Sequence, residues 1–403
     1  MNTRQIEKLY EQYLIPVYNR LGIAAARGSG SWLWDAEERK YLDFFPGWGT
    51  NALGHCHPHL IKAVHAQMKR LIHVPNTFYH EPQGRLAREL VRASFEGKAF
   101  FSNSGAESVE AAIKLVRRYG HLHPGPSGSA RWEMITMENS FHGRTLGAMA
   151  ATGQAKHQKG FEPVPEGFKH VPFNRIAAVE QAIGPNTVAV MIEPIQGEGG
   201  IHVATPEFAQ GLRRLCDERD LLLIFDEIST GMGRTGTLFC FQQYGVIPDI
   251  LLLAKPVAGG LPMGALIAKK SISDIWEKAS HATTFGGNPL LMAAGLAALE
   301  VIRKEKLPQN ALRQGRYLTK RLELLKKKYS MIKEIRGRGL MIGVELDRPG
   351  RPVVMEAAKR RLLINCTQEK VLRMYPALTV TRKEVDQAIE RLEQAFATVQ
   401  SVR

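Results

Sequence analysis

Several ionisable residues stand directly behind short apolar runs, the place where a buried strand would end. The run 188–192 is followed by Glu193, the run 221–225 by Asp226 and Glu227, and the run 250–254 by Lys255. A charge at such a point is costly unless it is paired or used, so all four are candidates for chemistry. Taken singly, each reads more simply as a strand leaving the core. A second kind of candidate is the segment Ser104-Gly105-Ala106, which follows Phe100-Phe101 and precedes Val109, Ile113 and Val116 at helical spacing. Small residues at a helix N-terminus let backbone amides approach an anion such as a phosphate. Ser and Asn are also ordinary helix caps, so this segment alone is only suggestive. A third candidate is Gly231-Met232-Gly233-Arg234-Thr235-Gly236, which matches the glycine pattern of dinucleotide sites and has Asp249 downstream. Its context is wrong for that use: residues 226–230 separate it from the strand, and 237–241 do not open a helix.

The elements that must position these residues follow from periodicity. Runs at 134–137, 188–192, 221–225, 250–253 and 265–268 are continuously apolar, which indicates strands buried on both faces, as in a parallel sheet covered by helices. Helical spacing lies between most of them, so the chain reads as α/β with right-handed crossovers. Beyond about residue 285 the pattern changes. Helices are expected over 290–302 and 310–328, short strands at 339–345, 362–365 and 371–374, and a last helix opened by the capping box Thr381/Glu384. Its stripe Val385, Ile389, Leu392, Phe396 and Val399 is core. The segments 32–35 and 40–44 read as a hairpin that joins this C-terminal unit. The expected division is a large α/β domain over 60–285 and a smaller α+β domain built from 1–59 and 286–403. The stretch 123–129 reads as an exposed loop.

Composition narrows the class. The chain has 403 residues, 44% hydrophobic and 23% charged, and Lys plus Arg at 54 against Asp plus Glu at 39 leave a formal charge of +15. Such a balance suits anionic partners, yet no basic tract interleaved with aromatics points to nucleic acid. No apolar run has the roughly 18–20 residues of a membrane helix, and Glu7 and Glu11 argue against a secretory leader. Cys56, Cys216, Cys240 and Cys366 are far apart, which suits a reducing cytoplasm and argues against a zinc ribbon or disulfide framework. His55-Cys56-His57 is read as structural, and no metal is expected.

The candidates fall into order along a known pattern. Gly54-His55-Cys56-His57-Pro58, Asn103 to Glu107, Phe141-His142-Gly143-Arg144-Thr145, Glu193 to Gly200, Asp226 to Gly236, Ala254-Lys255 and Thr284 to Pro289 together resemble the class III aminotransferases. These are pyridoxal-phosphate enzymes of the aspartate-aminotransferase fold type (fold type I), with a large mostly parallel sheet domain and a smaller α+β domain. The glycine pattern at 231–236 belongs to that family's own signature.

The resemblance implies roles. Lys255 would hold the cofactor aldehyde as a Schiff base and, once freed, move a proton. Asp226 would pair with the pyridine nitrogen. Phe141 would stack on the ring, Ser104, Gly105 and Ala106 would take the phosphate, and Thr284 would reach the phosphate of a neighbouring subunit's cofactor, which implies a homodimer. Arg144 resembles the residue that grips the donor's α-carboxylate, and Arg373 the one that takes a carboxylate of 2-oxoglutarate, a task the planar guanidinium suits. Glu198 would neutralise Arg373 in one half-reaction and swing away in the other, and Thr283 would contact substrate. The segments 150–154 and 362–367 are similar to the branch of the family that uses N-acetylornithine as amino donor. Two positions depart from the family pattern. Ser229 stands where a glutamine usually touches the cofactor's ring oxygen. Trp48 stands where acetylornithine enzymes carry a small aliphatic residue and ornithine enzymes a tyrosine. Ornithine, succinylornithine and 4-aminobutyrate therefore stay open as donors.

Overall fold

The apolar runs form one seven-stranded sheet, ordered Gly97–Ser102, Gly264–Lys269, Ile250–Leu253, Leu222–Asp226, Thr187–Ile192, Glu133–Met137, Phe168–Val171. Residues 1–125 and 128–401 are described by this computed structural model, so Pro126 and Ser127 of the expected 123–129 loop lie outside the described residues. Four pairings in the sheet are parallel. Gly264–Lys269 differs from the expectation, because it runs antiparallel to both neighbours. The reason is the connection: a parallel return needs a crossover of about a dozen residues or more, and only the turn Lys255–Ala258 and a short loop separate this strand from Leu253. That tight return places Lys255 at the carboxyl end of the sheet. Phe168–Val171, an edge strand, was not evident from periodicity. Its residues are FKHV, of which only Val171 is buried.

Helices cover the sheet as the spacing requires. Gly105–Leu122 buries Val109, Ala112, Ile113 and Val116, and Ser104 caps it by accepting the Glu107 amide at 3.2 Å. The C-terminal part carries the expected helices, Pro289–Lys304 and Leu307–Lys328, and an antiparallel sheet with strands Met341–Leu346 and Val371–Met374 near the expected places. Ile332–Arg338 is a further strand of it, and the expected strand 362–365 divides into Leu362–Leu363, in another sheet, and Asn365–Thr367. Both bonds of the expected capping box form, Thr381 N to Glu384 Oε2 at 2.8 Å and Glu384 N to Thr381 Oγ1 at 3.3 Å, and helix Arg382–Ser401 follows. The hairpin Trp32–Asp35/Lys40–Asp43 pairs in parallel with Leu362–Leu363, so the two ends of the chain share a sheet.

The glycine pattern at 231–236 is a buried turn against the C-terminal part. Arg234 is 1% exposed and donates from Nη1 to the carbonyls of Leu340 at 3.2 Å and Pro376 at 2.5 Å. A Cβ on Gly236 would fall 2.3 Å from Leu312 Cδ2, so no side chain fits there. Asp249 pairs with Arg213 and Lys269, each at 2.7 Å. Glu227 accepts the amides of Cys240 and Phe241, and its burial pushes its pKa up to about 8. His55 meets Asp43 at 2.9 Å and His57 meets Glu305 at 3.2 Å, so the His-Cys-His segment is structural. Among the described residues no helix is long and apolar enough to cross a membrane.

Candidate active site

At the carboxyl end of the sheet the three strand-end groups meet in a cavity of about 410 Å³, lined among others by Ser104, Gly105, Ala106, Phe141, Arg144, Glu193, Asp226, Ser229 and Lys255. Sequence separations of up to about 150 residues collapse here because parallel strands deliver their carboxyl ends to one edge. Lys255 leaves its strand with φ 37°, a left-handed conformation that costs a non-glycine residue about 1–3 kcal/mol. Its Nζ donates to Ser229 Oγ. Burial pulls the amine below the ordinary lysine pKa against the charges of Glu198 and Asp226, which makes it a better nucleophile.

Asp226 is 3% exposed and is held on both oxygens: Oδ1 accepts the Ile228 amide at 3.1 Å, and Oδ2 meets His142 Nδ1 at 2.7 Å. Burial alone would lower the pKa of His142, but the bond and charge of Asp226, with Glu193 behind it, hold it above its ordinary value. The imidazole is thus the buried hydrogen-bond partner of the Asp226 carboxyl group. Sequence reasoning gave His142 no role, although it lies between Phe141 and Arg144. The available signal was that a buried Asp226 needs a partner.

The loop that carries Phe141 and Arg144 is packed onto the helix N-terminus. A Cβ on Gly143, where φ is 145°, would come within 2.9 Å of Ala106 Cβ and 2.8 Å of Ala148 Cβ. A Cβ on Gly105 would come within 2.9 Å of Ile228 Cδ1. Glu193 fixes the same loop by accepting the amides of Phe141 at 3.0 Å and Gly197 at 3.1 Å. Burial pushes its pKa from 4.5 up to about 7, against the pull of His142. A raised carboxyl pKa means the folded state keeps its proton longer than the unfolded chain, so this contribution is complete below 4.5 and lost as pH rises through about 7. We expect the unfolding free energy of wild type, measured against Glu193→Gln by denaturant titration at a series of pH values, to fall by about 3 kcal/mol across that window. A pH-independent difference would disprove it.

Beside this cavity Arg373, 2% exposed, is fully engaged. It donates to Glu198 Oε1 at 2.6 Å, to the Gly197 carbonyl at 3.0 Å and to Asn365 Oδ1 at 2.9 and 2.6 Å. Burial would raise the pKa of Glu198, and Arg373 outweighs it and holds the carboxyl below the ordinary range. Arg144 is exposed on the cavity wall, 5.7 Å from the Phe141 ring centroid. Besides Glu198 and Arg373, three more of the expected residues lie outside the cavity lining. Thr283 accepts from Asn103 Nδ2 at 3.1 Å and lines a neighbouring cavity, Thr284 is exposed, and Trp48 is exposed with its edge against Phe45. Among the described residues no cluster suits a metal.

The family model for aminotransferase class III matches residues 16–396. The chain belongs to the class III aminotransferases. An acetylornithine aminotransferase of Caldanaerobacter subterraneus is 47% identical over 96% of this chain and 98% of its own length. The ornithine aminotransferase structure from Toxoplasma gondii superposes with a TM-score of 0.95 at 33% identity, covering 100% of this chain and 97% of that one. The N-acetylornithine aminotransferase structure from Stenotrophomonas maltophilia gives 0.84 at 35%, covering 98% and 100%. As a class III aminotransferase the protein depends on pyridoxal phosphate. The cavity suits that group. It offers an amine of lowered pKa, a capped helix terminus for an anion, and a buried carboxylate, and among the described residues His142 Nε2 on its lining is buried without a partner.

Proposed function

We propose that this aminotransferase moves the terminal amino group of N-acetylornithine to 2-oxoglutarate, giving N-acetylglutamate semialdehyde and glutamate, and works as a cytoplasmic homodimer. The observation that carries the substrate reading is the unequal state of two arginines. Arg144 is open, whereas Arg373 is covered by Glu198. A donor with one carboxylate needs only Arg144, and Arg373, neutralised by Glu198, then leaves no unpaired cation facing the rest of the donor. A dicarboxylate acceptor needs both arginines, so Glu198 must turn away to admit it. The names of the sequence relatives support the acylated donor.

Pyridoxal phosphate supplies an aldehyde that takes up the amine and a ring that accepts the electron pair left on the reacting carbon. Lys255 holds it and, when displaced, carries the proton between substrate carbon and cofactor at Nζ. Asp226, with His142 behind it, holds the proton on the ring nitrogen. Ser104, Gly105 and Ala106 take the phosphate, and Phe141 covers a ring face. Phe78 at 62% and Phe285 at 59% exposure, with Tyr79, are exposed aromatics on two segments that Asn76 joins by donating to the carbonyls of Thr283 and Gly286, which supports a second subunit at this edge and Thr284 as its contribution to the partner's cofactor phosphate.

An initial-rate panel of N-acetylornithine, succinylornithine, ornithine and 4-aminobutyrate with 2-oxoglutarate tests the reading. We expect N-acetylornithine to give the highest kcat/KM. Preference for ornithine would overturn the donor and favour the second reading. In that case Trp48, whose edge meets the Phe45 ring that faces Arg373, selects the free amino acid.

A further inference from the structure

Among the described residues the buried hydroxyl of Tyr375 meets no partner at hydrogen-bond geometry, although it lies close to the Arg373 guanidinium. Such a group carries its full desolvation cost unless something satisfies it. It stands two residues beyond Arg373 just past the strand Val371–Met374, with its ring 5.2 Å from Phe45 and 5.8 Å from the Arg373 guanidinium. Its oxygen shares a small space with Ser229: a point one Cβ bond from Gly197 would lie 3.4 Å from Ser229 Oγ and 3.6 Å from Tyr375 Oη. Ser229 Oγ in turn accepts from Lys255 Nζ. Two hydroxyls therefore border one space beside Gly197, that of Ser229 bonded to the amine and that of Tyr375 unsatisfied.

Resting on the reading of Lys255 as the residue that holds pyridoxal phosphate, we propose that Tyr375 is a cofactor-binding residue of this enzyme, its hydroxyl donating with that of Ser229 to the phenolic oxygen of the ring. Two substituents flank the aldehyde carbon of that cofactor, the phosphate arm and the phenolic oxygen. The helix terminus at Gly105 is placed for the first, and its close neighbour is Ile228; Gly197, Ser229 and Tyr375 form a separate neighbourhood. Serine is too short to do the work of a glutamine amide at position 229, and the tyrosine hydroxyl borders the same space. Burial holds the phenol of Tyr375 above its ordinary pKa although Arg373 pulls it down, so at neutral pH it is a donor.

Tyr375→Phe keeps the ring against Phe45 and Arg373 and removes only the oxygen. On holoenzyme we expect the pH midpoint of the bound cofactor's near-ultraviolet to visible absorbance to rise by about one unit, and the dissociation constant for pyridoxal phosphate to rise about fivefold. Adding Ser229→Gln to that variant should restore both, because the amide supplies the missing donor. Unchanged midpoint and affinity in Tyr375→Phe, with a normal wild-type titration, would overturn the proposal alone. A wild-type protein that binds no pyridoxal phosphate would overturn the reading of Lys255 and this proposal with it.

Discussion

Replacing Lys255 by alanine is expected to lower the aminotransferase rate by about a thousandfold or more, because one side chain has both to bind the cofactor carbonyl and to carry the proton. Lys255→Arg should fail to the same degree. Arginine keeps the positive charge between Glu198 and Asp226, but its guanidinium stays protonated and forms no imine under these conditions. The two variants together separate covalent work from electrostatics: alanine removes both, arginine only the first. Borohydride reduction of holoenzyme followed by peptide mass analysis gives a second readout, with the adduct expected on Lys255. Turnover by either variant near the wild-type rate would refute the assignment. The φ of 37° at this position is a left-handed strain of the kind that clusters at active sites.

The second large effect is expected at Arg373. Its replacement by alanine leaves Glu198 without its cation and Asn365 without its donor, at a cost of about 3 kcal/mol in stability, toward the lower end for a buried pair because the Glu198 side chain is 30% exposed. The apparent affinity for 2-oxoglutarate should fall about a hundredfold, with the donor half-reaction much less affected. Glu198→Gln added to Arg373→Ala should recover most of the stability and none of the acceptor affinity. Stopped-flow measurement of the two half-reactions and a denaturant titration of the same proteins check this. Equal losses in both half-reactions would disprove the division of labour. The pH dependence follows from the lowered pKa of Glu198. The pair's stability is present above the ordinary glutamate range and is lost as pH falls through the depressed folded-state value, a loss the Glu198→Gln variant should not show.

Much of this protein was legible in its sequence, and the physical reasons are local. Short continuous apolar runs bounded by polar residues indicate strands covered on both faces, so 188–192, 221–225 and 250–253 were readable without a partner in view, as were the helix of 105–122 and the capping box Thr381/Glu384. Lys255, Asp226 and Gly105 stand at the ends of such runs, and ordered motifs joined them to a family. The charge of +15 did not help, since almost none of it lies in the cavity.

Tertiary structure alone decided what depends on long-range pairing. The antiparallel course of Gly264–Lys269 comes from a short connection that has no periodic signature. The bond of His142 to Asp226 spans 84 residues, and that of Glu198 to Arg373 spans 175, so no local pattern reports either. The same holds for residues that left the expected place: Trp48 and Thr283 were near the site by motif, yet packing turned one outward against Phe45 and engaged the other with Asn103. Tyr375 carries no sequence signal at all, because an unsatisfied hydroxyl is a property of the space around it. The sequence determined which residue types stand at the strand ends. Only the fold decided which of them meet, since that requires a parallel sheet to bring distant strand ends to one edge and a core dense enough to leave few alternatives.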